Sequence, residues 1–163
     1  MPIALYRIDD RLIHGQVVVG WGQPLDLGFI VLVDDVVAES DWEQELYRLG
    51  VPPSMDVYFV STAEAARELA KYAADRRTGM VLTGTIATML TLARTAVRPV
   101  TAVNVGGIHH REDRTQKLRY VFLNKAEEQA LRDLVELGVV VTAQDVPSAT
   151  AHSLEDLLRG CAG

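Results

Sequence analysis

The stretch Asp9-Asp10-Arg11-Leu12-Ile13-His14-Gly15-Gln16-Val17 brings an imidazole, a guanidinium and two carboxylates into one short segment. Those side chains suit the handling of a phosphoryl group. A neutral imidazole is a competent nucleophile toward phosphorus, and an ordinary histidine pKa of about 6.5 leaves much of it neutral at pH 7. Arg11 can offer a planar, permanently charged fork to the phosphoryl oxygens. Asp10 can orient Arg11 or one of the imidazole nitrogens. Gly15 leaves room beside the ring. The competing reading of His14 is a half-buried histidine satisfied by a backbone carbonyl. Its place after a strand and near a helix start, where free backbone N–H groups receive anions, favours the phosphoryl acceptor.

Other positions are candidates of a second kind. Arg111, Arg114, Lys117 and Arg119 fall close together beside His109 and His110. They read either as a solvated loop or as a positive rim that meets an anionic group or an acidic partner. His109 and His110 follow Gly106-Gly107, and His109 is the better placed to contact the active loop or a docked partner. Thr83-Gly84-Thr85 could supply hydroxyls and backbone N–H groups to an anion. Two adjacent carboxylates, Asp34-Asp35, offer too few oxygens for a hard cation and read instead as helix-start and crevice residues. Trp21 and Trp42 read as core or subunit-contact aromatics. Cys161 lies in a terminal Arg159-to-Gly163 tail and offers no internal disulfide.

These residues need elements to hold them. Ile3–Ile8 reads as a strand that stops at Asp9-Asp10, with a helix from about 14 to 21 ended by Gly22 and Pro24. Phe29–Val33 is nearly continuous apolar sequence, which suits an interior strand covered on both faces. A helix over 38–49 follows, then a strand at Asp56–Val60 and an Ala-rich helix capped by Ser61 or Thr62 and running through Asp75. Met80–Thr83 is a short strand and 85–94 a helix. Further strands are expected at 98–105, 118–123 and 139–142. A helix capped by Asn124 spans 125–137, and a short helix closes the chain at about 153–158. The alternation predicts a three-layer α/β/α fold with an open, mostly parallel sheet of about six or seven strands, in one domain over 1–163. Ligands in such folds bind beyond the carboxyl ends of the strands, where most of the candidates above cluster.

Composition narrows the class. The chain has 163 residues, 48% of them hydrophobic, and a net charge of −6. Nucleic-acid binding is disfavoured, because a surface that tracks a phosphate backbone needs a concentrated basic stripe. The stretch from Met80 to Ala93 is too short and too polar to span a bilayer. No basic-then-apolar leader opens the sequence, so a cytoplasmic location is expected.

The segment Arg7-Ile8-Asp9-Asp10-Arg11-Leu12-Ile13-His14-Gly15-Gln16-Val17 resembles the phosphorylation-site segment of the IIB component of the mannose/fructose/sorbose family of sugar phosphotransferase systems. Asn104-Val105-Gly106-Gly107-Ile108-His109 is similar to that family's glycine turn, and Gly138-Val139-Val140-Val141 through Gln144-Asp145-Val146-Pro147 to its closing strand and loop. The resemblance implies a relay. A IIA phosphohistidine passes its phosphoryl group to Nδ1 of His14, which hands it to a sugar held by membrane IIC and IID subunits. It implies a phosphate-facing Arg11, an acidic neighbour in Asp10, no cofactor or metal, a protein at the inner face of the membrane, and a possible homodimer. One departure is Asp113, about where a glycine is expected; this aspartate either holds a left-handed turn or alters the surface offered to a partner.

Three alternatives stay open at this point. A metal-dependent hydrolase would use His14, His109, His110 and Asp10, although their spacing matches no compact zinc motif. A receiver-like domain phosphorylated on aspartate would need an acceptor after the third strand, where the chain reads Val60-Ser61. A regulatory phosphohistidine module would share the fold without serving transport.

Overall fold

The run Phe29-Ile30-Val31-Leu32-Val33 shows how the layers are built. Phe29, Val31 and Val33 enter one apolar core while Ile30 and Leu32 enter another on the opposite face. A strand buried on both faces must be apolar throughout, and this one is. The computed structural model describes residues 3–160.

The strands are β1 (Ile3–Ile8), β2 (Leu27–Val33), β3 (Asp56–Val60), β4 (Thr78–Thr83), β5 (Ala102–Val105), β6 (Thr115–Leu118), β7 (Val121–Leu123), β8 (Val140–Ala143) and β9 (His152–Ser153). Seven of them form the central sheet in the order β3-β2-β4-β1-β5-β8-β9. Every pairing in it is parallel except β8 with β9. The helices are α1 (Asp41–Leu49), α2 (Thr62–Ala73), α3 (Ile86–Thr95), α4 (Lys125–Glu136) and α5 (Leu154–Arg159). Apolar residues of α2, α3, α4 and α5 pack on one face of the sheet. The segment Leu12–Trp21 covers the other, with Tyr47 of α1 packed against it. The fold is thus the expected three-layer α/β/α arrangement.

Helix starts follow the polar caps. Ser61 Oγ accepts the Glu64 N–H at 3.1 Å, and Thr85 Oγ1 accepts that of Thr88 at 3.1 Å. At α4, Asn124 and Glu127 satisfy each other's backbone N–H groups in a capping box.

Some expected elements differ. The helix over 14–21 is a π-helical turn, Gln16–Trp21, whose wider spacing directs Val17, Val18 and Trp21 into the core. The helix over 38–49 is a 3₁₀ turn, Val37–Glu39, followed by α1. The strand at 98–105 joins the sheet only at Ala102, leaving Pro99, which has no ladder donor, outside it. The strand at 118–123 is broken: the chain turns at Arg119-Tyr120, and β6 and β7 pair as an antiparallel hairpin that buries Leu118, Val121 and Leu123. Cys161 falls outside the described residues.

Candidate active site

Strand order places β1 between β4 and β5, so the chain leaving Ile8 is flanked by the ends of both neighbours. The Asp9 N–H donates to the Thr83 carbonyl at 2.9 Å, and the Asp10 N–H to the Gly107 carbonyl at 2.9 Å. The chain then turns, the Leu12 N–H returning to the Asp9 carbonyl at 3.0 Å. Leu12 takes a φ of +60°, a left-handed conformation that costs a branched residue about 1 kcal/mol. Burial of its side chain against Gly84 offsets this: a Cβ at Gly84 would lie 2.8 Å from Leu12 Cδ2. Leu12 and Ile13 anchor the loop, and His14 is carried at its rim.

Behind His14 stands a charge cluster that the sequence reading missed. Arg7 and Asp9 have no exposed surface. The Arg7 guanidinium donates to the Asn104 side chain, to the Gln144 carbonyl at 2.9 Å, to the Asp145 carbonyl at 3.0 Å and to Asp9 Oδ2 at 3.3 Å. It lies 4.9 Å from the centre of the Trp21 ring, whose indole N–H also donates to Asp145. Gly106 makes this possible, since a Cβ there would come within 2.3 Å of the guanidinium. Burial pulls Arg7 down from its usual pKa, and the Asp9 charge opposes that shift. The signal was present in the sequence as one charged residue within the apolar strand Ile3-Ala4-Leu5-Tyr6-Arg7-Ile8.

Asp9 is the hub. Arg11 grips both its oxygens, Nε on Oδ1 and Nη2 on Oδ2, each at 3.2 Å. Burial alone would raise this carboxyl, but the contacts with His14 and Arg11 and the charges of Arg7 and Arg11 overcome it, holding Asp9 well below the usual carboxylate range. Arg11 Nη2 also meets Gln16 Oε1 at 2.5 Å.

The two nitrogens of His14 are treated differently. Nε2 is sealed from solvent and lies 3.4 Å from Asp9 Oδ2, a long contact for a hydrogen bond. Nδ1 accepts the backbone N–H of Gln16 at 3.2 Å. An acceptor nitrogen carries a lone pair, so this geometry selects the tautomer with its proton on Nε2, facing the ionised Asp9. The ring is one-fifth exposed, at 19%.

Asp10 does not touch Arg11 or His14, contrary to the role expected of it; Asp9 fills that role. Consecutive residues leaving a strand point to opposite sides, and Asp10 turns to the glycine loop instead. Its carboxylate accepts the His109 N–H at 2.8 Å and contacts Nδ1 of the same residue at 2.5 Å. His110 packs edge-on against Phe122, 5.5 Å between ring centres.

The remaining candidates divide in the same way. Gly107 lies beside the Arg11 guanidinium, where a Cβ would sit 3.2 Å from Nη2. Gly15 has open space around it. The Thr83 hydroxyl donates to the Thr85 carbonyl and Thr85 caps α3, so both are engaged locally. Asp34 accepts the N–H groups of Val36 and Val37, each at 3.0 Å, and starts the 3₁₀ turn. Arg111 is exposed. Arg114, expected at an exposed position, has only 7% of its side chain exposed and grips Glu127 at 2.9 and 2.6 Å. Asp113 is not left-handed; its carboxylate accepts from the Asn124 side chain at 2.9 Å. Trp21 is buried and Trp42 exposed. Among the described residues, no three His, Cys, Asp or Glu side chains are gathered to hold a metal ion. No helix among them is long and apolar enough to cross a membrane.

Next to Arg11 and Gln16 opens a pocket of ≈ 420 Å³, lined also by His109, Arg119, Tyr120 and Asp145. Burial pushes the Tyr120 phenol up to about 12.

Residues 3–161 match the family described as PTS system sorbose subfamily IIB component. The chain is 34% identical over 159 residues to the N-acetylgalactosamine-specific phosphotransferase enzyme IIB component 2 of Escherichia coli K12, spanning 97% of this chain and 100% of that protein. It is 31% identical over 160 residues to the mannose-specific EIIAB component of the same organism, spanning 97% of this chain but 49% of that one. The crystal structure of the IIBSor domain of the sorbose permease from Klebsiella pneumoniae superposes with a TM-score of 0.85 at 32% identity, over 98% of this chain and 97% of that one. The fold is thus that of a phosphotransferase-system component. The chain belongs to the sorbose-subfamily IIB components.

Proposed function

We propose that His14 is a transient phosphoryl acceptor, working through Nδ1 between a IIA phosphodonor and a sugar bound by membrane IIC and IID subunits. The observation that carries this reading is the division of labour in the imidazole: Nε2 is sealed against Asp9, while Nδ1 carries no proton and holds only the backbone N–H of Gln16, on a ring that is partly exposed. Once the Gln16 N–H has swung away from it, the Nδ1 lone pair attacks the phosphorus of the donor phosphohistidine, and the donor's P–N bond breaks with its electrons returning to the donor ring. The positive charge that develops on the His14 ring faces Asp9, which stabilises it as a buried carboxylate does in other histidine-based sites. In the second step a sugar hydroxyl attacks the same phosphorus, its proton passing to water, and the electrons of the P–N bond return to Nδ1.

The surrounding charge suits the phosphorylated state. Two guanidiniums, Arg7 and Arg11, share the Asp9 carboxylate, so Arg11 is not neutralised by a carboxylate of its own and keeps donors to offer the incoming phosphoryl group. Arg11 is partly exposed and stands at the surface of the cluster. The name of the mannose-specific EIIAB relative joins a IIA part to a region like this chain, in keeping with a IIA donor. The names of the relatives cover N-acetylgalactosamine, sorbose and mannose, which supports a sugar as the acceptor class. Such a carrier would act as one domain in the cytoplasm, at the inner face of the membrane, with His109 and Arg111 on the rim that meets its partners.

Incubation with phosphoenolpyruvate, the general phosphotransferase proteins and IIA should add one phosphoryl group per chain, stable to alkali and labile to acid. His14→Ala should abolish it. Full labelling of that variant would overturn the assignment.

A further inference from the structure

The helix α1 shows its apolar side chains to solvent. Trp42 is 70%, Leu46 57% and Leu49 85% exposed, and Val36 just before the helix is 71% exposed. Positions 42, 46 and 49 are spaced to form one stripe along a helix, while Tyr47, from the same helix, packs against the core beneath. A stripe holding an exposed tryptophan is the composition of an interface centre, where aromatic side chains contribute most of the binding energy.

The charge around the stripe decides what can cover it. Residues 34–49 contain six acidic side chains, of which Glu39, Asp41 and Glu45 are exposed beside the stripe. The one basic residue in that span, Arg48, lies over the Phe59 ring at 5.0 Å. In a symmetric dimer through this face acid would meet acid, and an anionic lipid surface would repel it. An apolar partner with a basic rim fits. Membrane proteins carry an excess of Lys and Arg on their cytoplasmic loops, next to their apolar spans.

Topology puts the stripe where such a partner must approach. The chain enters α1 from the carboxyl end of β2, and only β4 separates β2 from β1. At the usual strand spacing that is about 10 Å from the strand that presents His14. Tyr47 of α1 and the Leu12–Trp21 segment pack into the same core on the same face of the sheet. A partner holding a sugar over His14 can therefore cover Trp42 as well.

We propose that the outer face of α1, centred on Trp42 and Leu46, docks against the basic cytoplasmic loops of the membrane IIC and IID subunits. This rests on the reading that the chain serves such subunits. The polar His14 rim is then the surface common to every phosphoryl exchange, and α1 is the surface that selects the membrane complex.

The test is a titration of the full-length chain onto nanodiscs carrying the IIC and IID subunits of its own system. The double variant W42S/L46S should raise the dissociation constant at least about tenfold. It should accept phosphoryl groups from IIA within about twofold of the wild-type rate, which reports an intact fold and loop. A second variant, Glu39→Lys with Asp41→Lys and Glu45→Lys, should weaken docking more at low salt than at high salt. Wild-type affinity in both variants would overturn the proposal. So would equal binding of the wild type to empty anionic nanodiscs, a wild-type dimer that W42S/L46S dissolves in sedimentation, or slowed transfer from IIA in parallel with docking. The titration needs no phosphate, so a failure to label His14 would leave its result standing. Lost docking in variants that still label identifies the stripe independently of the chemistry.

Discussion

Two regions meet at the end of β1 and handle charge in opposite ways. On one side Arg7, Asp9 and the Nε2 edge of His14 are sealed, and each ion is held by several partners from β1, β5 and the Gln144-Asp145 segment. On the other, Asp10 and His109 pair at the surface, with His109 66% exposed, and Arg111 reaches into solvent. Asp9 and Asp10 are neighbours in sequence, yet one is a hub and the other a rim tether. Low dielectric makes each interaction of the buried side strong and each missing partner costly, whereas water weakens the exposed pairs. The buried side can therefore fix the imidazole, while the exposed side stays free to meet a partner.

The sharpest way to break this contrast is to remove a buried ion. Arg7→Met should cost about 3 kcal/mol, because Asn104, two carbonyls and Asp9 lose their common donor. Urea unfolding measures it, and a loss within about 0.5 kcal/mol, the range of an ordinary surface change, would show that Arg7 is not a strut.

Asp9→Asn is next, and it acts on the chemistry as well as on the fold, since it leaves the buried Arg7 without its counter-ion. An amide cannot balance the charge that develops on the His14 ring, so phosphoryl acceptance should fall at least about a hundredfold. The pH profile supplies a second readout. The folded pKa of Asp9 is depressed, so its contribution to stability is complete above the ordinary aspartate value of about 4 and is lost as pH falls below it. Unfolding midpoints measured from pH 7 to pH 3 should show a flatter acid limb in Asp9→Asn than in the wild type. Identical acid limbs and transfer rates would show that the sealed carboxylate does neither job.

The smallest effect belongs to the rim. Arg111→Glu should leave stability within about 0.5 kcal/mol, and it should slow association with phospho-IIA by a few-fold at low salt and less at high salt. Its near neighbour Arg114 behaves as part of the buried side: Arg114→Glu sets a second carboxylate against Glu127 and should destabilise by about 2 kcal/mol. Stopped-flow transfer across a salt series, with urea unfolding of both variants, separates them. Equal stability losses at 111 and 114 would erase the distinction between the two arginines.

The fold was legible because strand and helix periods are local properties. The apolar run at Phe29–Val33, the caps at Ser61 and Asn124, and the alternation of elements each appear in a short window. Misread elements sit where tertiary packing overrides local pattern. The π-turn at Gln16–Trp21 is wound so that Val17, Val18 and Trp21 reach one core. The break at Arg119-Tyr120 lets a single apolar stretch fold back on itself.

The residues of the site divide along the same line. His14 and Arg11 stand out in sequence because an imidazole and a guanidinium after a strand form a recognisable local group, and their place near a helix start is a matter of spacing. The choice between Asp9 and Asp10 was beyond it. Which of two adjacent carboxylates is buried depends on β4 and β5 flanking β1, and on Arg7 reaching across to Asn104 and the Gln144-Asp145 segment. Likewise Arg111 and Arg114 look alike until α4 brings Glu127 beside one of them. The sequence determined the alternation of elements and the imidazole and guanidinium carried beyond the end of β1. Only the assembled sheet decided which charges lost their water, because desolvation depends on neighbours far away in the chain, as Asn104 is from Arg7.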